Sequence, residues 1–195
     1  IIKPGVPVLT ATRQPEALAV INQVAQEHQA PLTRVHASNL TPHAALWGEH
    51  QKLNAALAVA TVGVLQSRIP VSEAVVRRGL EKVHWPGRLQ LVTRPSGQRV
   101  LLDGAHNPAG AAVLHAALRG APSTAAARSN LDSQHAEPAP GAPLTLILGI
   151  LADKDCRAMC EILAPLATRL LLVPVGSERT GRPEELLPFC RAANP

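Results

Sequence analysis

Apolar residues in this chain fall into short runs of strand length separated by stretches with helical spacing. Pro7-Val8-Leu9-Thr10 is a short apolar strand candidate. Gln14-Pro15 opens a helix to about Gln29, with proline in the first turn, where its missing N–H breaks no helical bond. Ala17, Leu18, Ile21, Val24 and Ala25 recur at helical spacing and give that helix one apolar face. Leu32 to His36 reads as another strand, and residues 37–45 as loop. A second helix is expected from about His50 to Gln66. It is nearly all apolar after Asn54, the pattern of a helix buried on most sides. A third runs to about Val83, with Ser72 as N-cap and Glu73 in its first turn, and Pro86-Gly87 ends it.

Trp85-Pro86-Gly87 marks a domain boundary, giving domains over residues 1–85 and 86–195. Arg88 to Arg94 and Arg99 to Asp103 read as strands joined by a hairpin turn at Pro95-Ser96-Gly97-Gln98. A helix from Pro108 to Arg119 has proline at its start and Gly120 at its end. Residues 120–143, rich in Ala, Pro, Ser and Gly, read as a flexible surface insertion. Leu144 to Gly149 is a continuous apolar run, hence a buried parallel strand. A helix from Cys156 to Leu163, a buried strand from Arg169 to Val173 and a helix from Pro183 to Ala193 follow. Alternating strands and helices from residue 99 onward predict an α/β fold, a parallel sheet covered by helices.

Trp47, Trp85 and Phe189 are the only aromatic residues, so the core must be aliphatic and stacking platforms for single-stranded nucleic acid are absent. The net charge of +5 favours anionic ligands, but the arginines are scattered and form no basic run. No membrane-spanning apolar stretch and no signal-peptide layout occur, and Ile1 suggests a start within a longer protein. Cys156, Cys160 and Cys190 are sparse and odd in number, which reads as free thiols in a reducing, cytoplasmic compartment. Cys156 and Cys160 share a helix face but lack accompanying metal-ligand spacing, so core packing is expected of them.

The polar chemistry concentrates where strands end. In Leu101 to Pro108, LLDGAHNP, a buried apolar strand runs into Asp103, His106 and Asn107 at the start of a helix. In open α/β sheets, ligands bind beyond the carboxyl ends of strands. Asp103 could bond ribose hydroxyls or orient an arginine, and His106 could bond a substrate or phosphate. The same residues would equally make a turn and a helix cap. Arg88, just after Pro86-Gly87, could reach an anion with its planar fork, or simply be solvated. Asn54 heads an apolar helix and could meet a nucleobase, or face solvent; His50 and Gln51 have weaker claims. In Asp153-Lys154-Asp155, Lys154 could meet a phosphate, although a solvated charged turn has the same spacing.

Taken together, Trp85-Pro86-Gly87-Arg88-Leu89-Gln90, LLDGAHNP and Gly149-Ile150-Leu151-Ala152-Asp153-Lys154-Asp155 resemble the carboxyl half of folylpolyglutamate and dihydrofolate synthases. These belong to the Mur ligase superfamily. The resemblance implies the end of a central ATPase domain followed by a Rossmann-like ligase domain. It implies that Asn54, Arg88 and Asp103 contact ATP, and that His106 is the catalytic candidate at the cleft. Asn107 and Lys154 are further cleft candidates. It also implies an activity: ATP converts a folate or dihydropteroate carboxylate to an acyl phosphate, which the amino group of L-glutamate attacks. ATP and Mg²⁺ are the implied cofactors, with no metal ligand in these residues. The implied protein is a cytoplasmic monomer that binds neither nucleic acid nor membrane. The chain departs from the family in having no G-x-x-x-x-G-K-[ST] phosphate loop. It therefore reads as an internal fragment that is inactive alone. A non-catalytic nucleotide- or anion-binding module, or another Mur-type amino-acid ligase, is the alternative.

Overall fold

The structure is a computed structural model that describes residues 1–36, 46, 48–119 and 143–195, with Glu49 described by its backbone alone. The loop expected at 37–45, and all of the expected insertion except Pro143, lie outside the described residues. The chain divides into two compact units, Ile1–Trp85 and Pro86–Pro195.

In the first unit, β1 (Val8–Thr10) and β2 (Leu32–Arg34) pair in parallel with Val8 opposite Leu32, and α1 (Pro15–Glu27) connects them. Pro15 stands at the start of α1, as its fixed φ favours, and Gln29 at φ 50° turns the chain out of the helix. Ala25, Ala30 and Val35 are buried in this unit. Two further helices follow, α2 (Glu49–Leu65) and α3 (Glu73–Lys82). Ser72 caps α3 as expected, its hydroxyl accepting the Val75 N–H. The expected burial of α2 on most sides needs correction. Gln51, Ala55 and Ala56 are buried near its start, but Val64 and Leu65 near its end are exposed. A helix that is apolar all round needs cover all round. β1 is packed against α2, and among the described residues the cover does not reach its last turn.

The second unit opens with an antiparallel hairpin, β3 (Gln90–Thr93) with β4 (Arg99–Leu102), in the register Gln90 opposite Leu102. Gly97 at φ 79° closes the turn, and the Arg94 and Gln98 backbones bond across it at 2.8 Å. After α4 (Pro108–Arg119) come β5 (Thr145–Leu148), α5 (Cys156–Leu163), a 3-10 turn at Ala164–Leu166, β6 (Arg169–Leu172) and α6 (Pro183–Ala193). β5 and β6 pair in parallel with Thr145 opposite Arg169. The core lies where α5 packs on α4 and α6, around Ala111, Leu114, Met159, Cys160, Leu163, Leu186 and Cys190.

Two expectations for this unit are corrected. β4 pairs with β3 in a sheet of its own and does not join the parallel pair. The three strands read as buried are buried on one side at most: Leu148 is buried while Ile147 is 64% exposed, and Leu102 and Leu171 are also exposed. Apolar residues on both faces signal a strand covered on both sides. Among the described residues, the helices leave one face of the β5–β6 pair open. No helix among the described residues is long and apolar enough to cross a membrane.

Candidate functional site

The open end of the β3–β4 hairpin is built by two turns that hold each other. Before β3, Gly87 at φ 72° and Leu89 at φ 45° fold the chain back, and Gln90 Oε1 accepts the Gly87 N–H at 2.9 Å. After β4, Asp103 bridges both turns. Its Oδ2 accepts the Leu89 N–H and its Oδ1 accepts the Ala105 N–H, each at 2.9 Å. Gly104 lies against the first turn, and a Cβ there would sit 3.6 Å from the Gly87 carbonyl oxygen. Asp103 thereby brings Arg88, the neighbour of Leu89, to the same end of the hairpin as the LLDGAHNP turn. Arg88, Asp103, His106 and Asn107 are all exposed there.

The capping role read beside the ligand-binding one is realised in full. Asn107 Oδ1 accepts the Gly110 N–H at 2.7 Å and its carbonyl accepts the Ala111 N–H, so Asn107 starts α4. His106 Nδ1 lies 2.9 Å from the Gly104 carbonyl oxygen. A carbonyl can only accept, so Nδ1 carries the proton of that bond, and Nε2 is the nitrogen left to accept when the ring is neutral. The end of the hairpin therefore presents a fixed imidazole, a guanidinium and a carboxylate already carrying two N–H bonds. This set can receive an anion on Arg88 and a hydroxyl or N–H donor on the remaining lone pairs.

Lys154 stands elsewhere, on the turn between β5 and α5. Its Nζ is 3.0 Å from Asp153 Oδ2, which Arg179 Nη1 also approaches at 3.5 Å. The hydrogen bond from Lys154 holds the Asp153 carboxyl below its ordinary range. Asp155 caps α5 by accepting the Ala158 N–H at 3.0 Å. A cavity of about 300 Å³ opens beside this turn, lined by Lys154, Cys156, Glu185 and Phe189 among others. The loop at Thr180–Gly181 pins the turn: Gly181 N donates to the Ile150 carbonyl at 2.8 Å, and Ala152 N to that of Arg179. Cys160 and Cys190 are buried in the core, and burial pushes the Cys160 thiol up to about 12. Among the described residues, no group of three or more His, Cys, Asp or Glu is placed to hold a metal ion.

In the first unit the polar residues at the start of α2 form a chain. Gln51, 3% exposed, has its Nε2 2.9 Å from His50 Nε2, and its Oε1 accepts a hydrogen bond from Asn54 Nδ2 at 3.1 Å. Asn54 itself is exposed. Gln51, which the sequence ranks below Asn54, is the buried member. Its signal is the spacing, since residues three apart on a helix are surface neighbours. Leu89 leaves no signal at all, because nothing about a leucine announces a left-handed backbone.

No family model matches the chain. A folylpolyglutamate synthase of Lacticaseibacillus casei is 32% identical over 94% of this chain and 44% of its own length. A dihydrofolate synthase/folylpolyglutamate synthase of Bacillus subtilis is 36% identical over 56% of this chain and 31% of its own length. Among solved structures, E. coli FolC in complex with DHPP and ADP matches with a TM-score of 0.70 and 26% identity, over 97% of this chain and 44% of that one. The α/β fold is thus that of the matched part of such structures, and the resemblance read from the three motifs extends along most of the chain. The chain spans less than half the length of the relatives it matches.

Proposed function

We propose that this chain, which resembles the folylpolyglutamate and dihydrofolate synthases along most of its length, is part of an ATP-dependent ligase that joins L-glutamate to a folate or to dihydropteroate. Residues 1–85 are then the end of its central ATP-binding domain and 86–195 its glutamate-ligase domain. The observation that carries the reading is the pair of turns at the end of the β3–β4 hairpin. There the residues of two separate family-like motifs are joined by the bond from the Leu89 N–H to Asp103.

The residues fit a nucleotide. Arg88 offers an exposed planar fork suited to phosphate oxygens, and Asp103 keeps acceptor capacity beyond its two backbone bonds. Bound ATP supplies the phosphoryl group that turns the carboxylate of the acceptor substrate into an acyl phosphate. This chain's residues bind and orient. Arg88 offsets phosphate charge, Asp103 holds the turn that aims Arg88, and His106 faces the reacting groups with Nε2 as an acceptor. The family resemblance assigns Asn54 to a nucleotide contact as well, and keeps Asn107 and Lys154 as further site candidates. The family resemblance implies Mg²⁺ together with ATP and assigns its ligands to none of the residues named here. Free, sparse cysteines support a cytoplasmic setting.

The test is Arg88→Ala in the complete protein, assayed by glutamate ligation as ATP is varied. A charge-assisted bond to phosphate removed from the site raises the KM for ATP about tenfold or more. Arg88→Lys should recover part of that loss, keeping charge without the fork. An unchanged ATP dependence in both variants overturns the assignment.

A further inference from the structure

We propose that Gln51 is a positioning residue that fixes the Asn54 amide in the orientation complementary to adenine. This rests on the reading above that Asn54 meets the nucleotide. An exposed asparagine on its own has two nearly equivalent amide orientations, which exchange its donor and acceptor sides. Gln51 removes that freedom. It is 3% exposed, so both ends of its own amide need partners within the protein. Its Nε2 lies 2.9 Å from His50 Nε2, which accepts when that ring carries its proton on Nδ1, and Oε1 is then left for Asn54. An oxygen of that kind can only accept, so Asn54 turns Nδ2 inward, as the 3.1 Å bond records. What Asn54 presents outward is then Oδ1 together with its second N–H.

That outward pair has the polarity of one base. Adenine shows an N6 amino donor beside the N7 acceptor, which an amide meets with its oxygen and N–H together. Guanine shows two acceptors, O6 and N7, on the same edge, and Oδ1 facing O6 repels. An asparagine free to rotate would turn its NH₂ group to guanine and accommodate either base. Selectivity between purines therefore depends on a buried residue that never touches the nucleotide.

The experiment measures ADP and GDP binding by titration calorimetry in the complete protein, without turnover. Wild-type protein should favour ADP by about tenfold or more, the discrimination of one good bidentate contact. Gln51→Met, similar in volume but unable to bond, should bring the two affinities within about threefold of each other. Gln51→Glu, which keeps an acceptor facing Asn54, should retain the preference. If Gln51→Met keeps the wild-type ratio while Asn54→Ala loses it, Asn54 reads the base unaided and the proposal fails. A folded Gln51→Glu protein without the preference also overturns it, whether or not Gln51→Met folds. If Asn54→Ala changes neither affinity nor ratio, the underlying reading that Asn54 meets the nucleotide is what has failed.

Discussion

Asp103 is expected to hold the β3–β4 hairpin closed, whatever it also does for a ligand, and Asp103→Ala measures that. Its carboxylate accepts the N–H groups of Leu89 and Ala105 at 2.9 Å each. Hydrogen bonds to a charged group contribute about 1.5–3 kcal/mol where water cannot replace them. The two bonds differ in this respect. Leu89 is 5% exposed, so its N–H has little access to water once the carboxylate is gone, whereas the Ala105 bond is exposed and contributes less. Leu89 also sits at φ 45°, a conformation that costs a non-glycine residue about 1–2 kcal/mol and persists only while its surroundings impose it. When Asp103 is removed, Leu89 relaxes and recovers part of that strain, which caps the net loss. The expected destabilisation is about 2 kcal/mol. Urea unfolding followed by circular dichroism should show a lower midpoint, and hydrogen exchange should show faster exchange at the Leu89 amide. Asp103→Asn should recover roughly half, because its one carbonyl oxygen serves Leu89 while its amino group faces the Ala105 N–H. A loss below about 0.5 kcal/mol with unchanged exchange at Leu89 would refute the reasoning.

Elsewhere in the same unit, Gly181→Ala would place a Cβ 2.7 Å from the Ile150 carbonyl oxygen, a backbone atom that already receives the Gly181 N–H. We expect a loss of about 1–3 kcal/mol in the same urea experiment, and a wild-type midpoint would contradict that contact. Asp153 has its pKa lowered from 3.8, first by the hydrogen bond from Lys154, so its contribution to stability is present above the unfolded-state value and lost as pH falls through the depressed one. Lys154→Ala should bring the Asp153 titration, followed by carbon NMR, back up toward 3.8, and an unmoved titration would remove Lys154 as the cause.

The sequence and the structure agree where the signal is local and part where it is not. Helix starts are local. Pro15, Ser72, Pro108 and Pro183 each stand at the start of a helix because a missing donor or a side-chain acceptor suits those positions whatever surrounds them. The hairpin turn at Pro95–Gln98 is local in the same sense, and Gly97 takes the positive φ that the turn needs. Burial is not local. Leu144–Gly149 carries apolar residues on both faces of its strand, yet Ile147 is exposed, because burial belongs to whatever covers a face and not to the residues that form it. The end of α2 differs from expectation for the same reason.

The candidate site divides along that line too, and it shows why two readings of one motif need not compete. From LLDGAHNP alone, ligand binding and turn-making look like alternatives. In the structure, Asp103 makes the turn with one lone pair on each oxygen, and a carboxylate has about four lone-pair sites. Turn-making therefore leaves Asp103 with acceptor capacity, and it supplies the rigidity a binding group needs, since a carboxylate tied to two backbone amides cannot swing away. Stability and binding should then separate by substitution. Arg88 makes no bond to either turn among those described, so its replacement should alter the response to ATP and leave the unfolding midpoint in place. Replacement of Asp103 should move both. If Arg88→Ala lowered the midpoint as far as Asp103→Ala does, Arg88 would be part of the fold's own closure. The end of the hairpin would then have lost its free cationic group, and with it the physical basis for an anion site there.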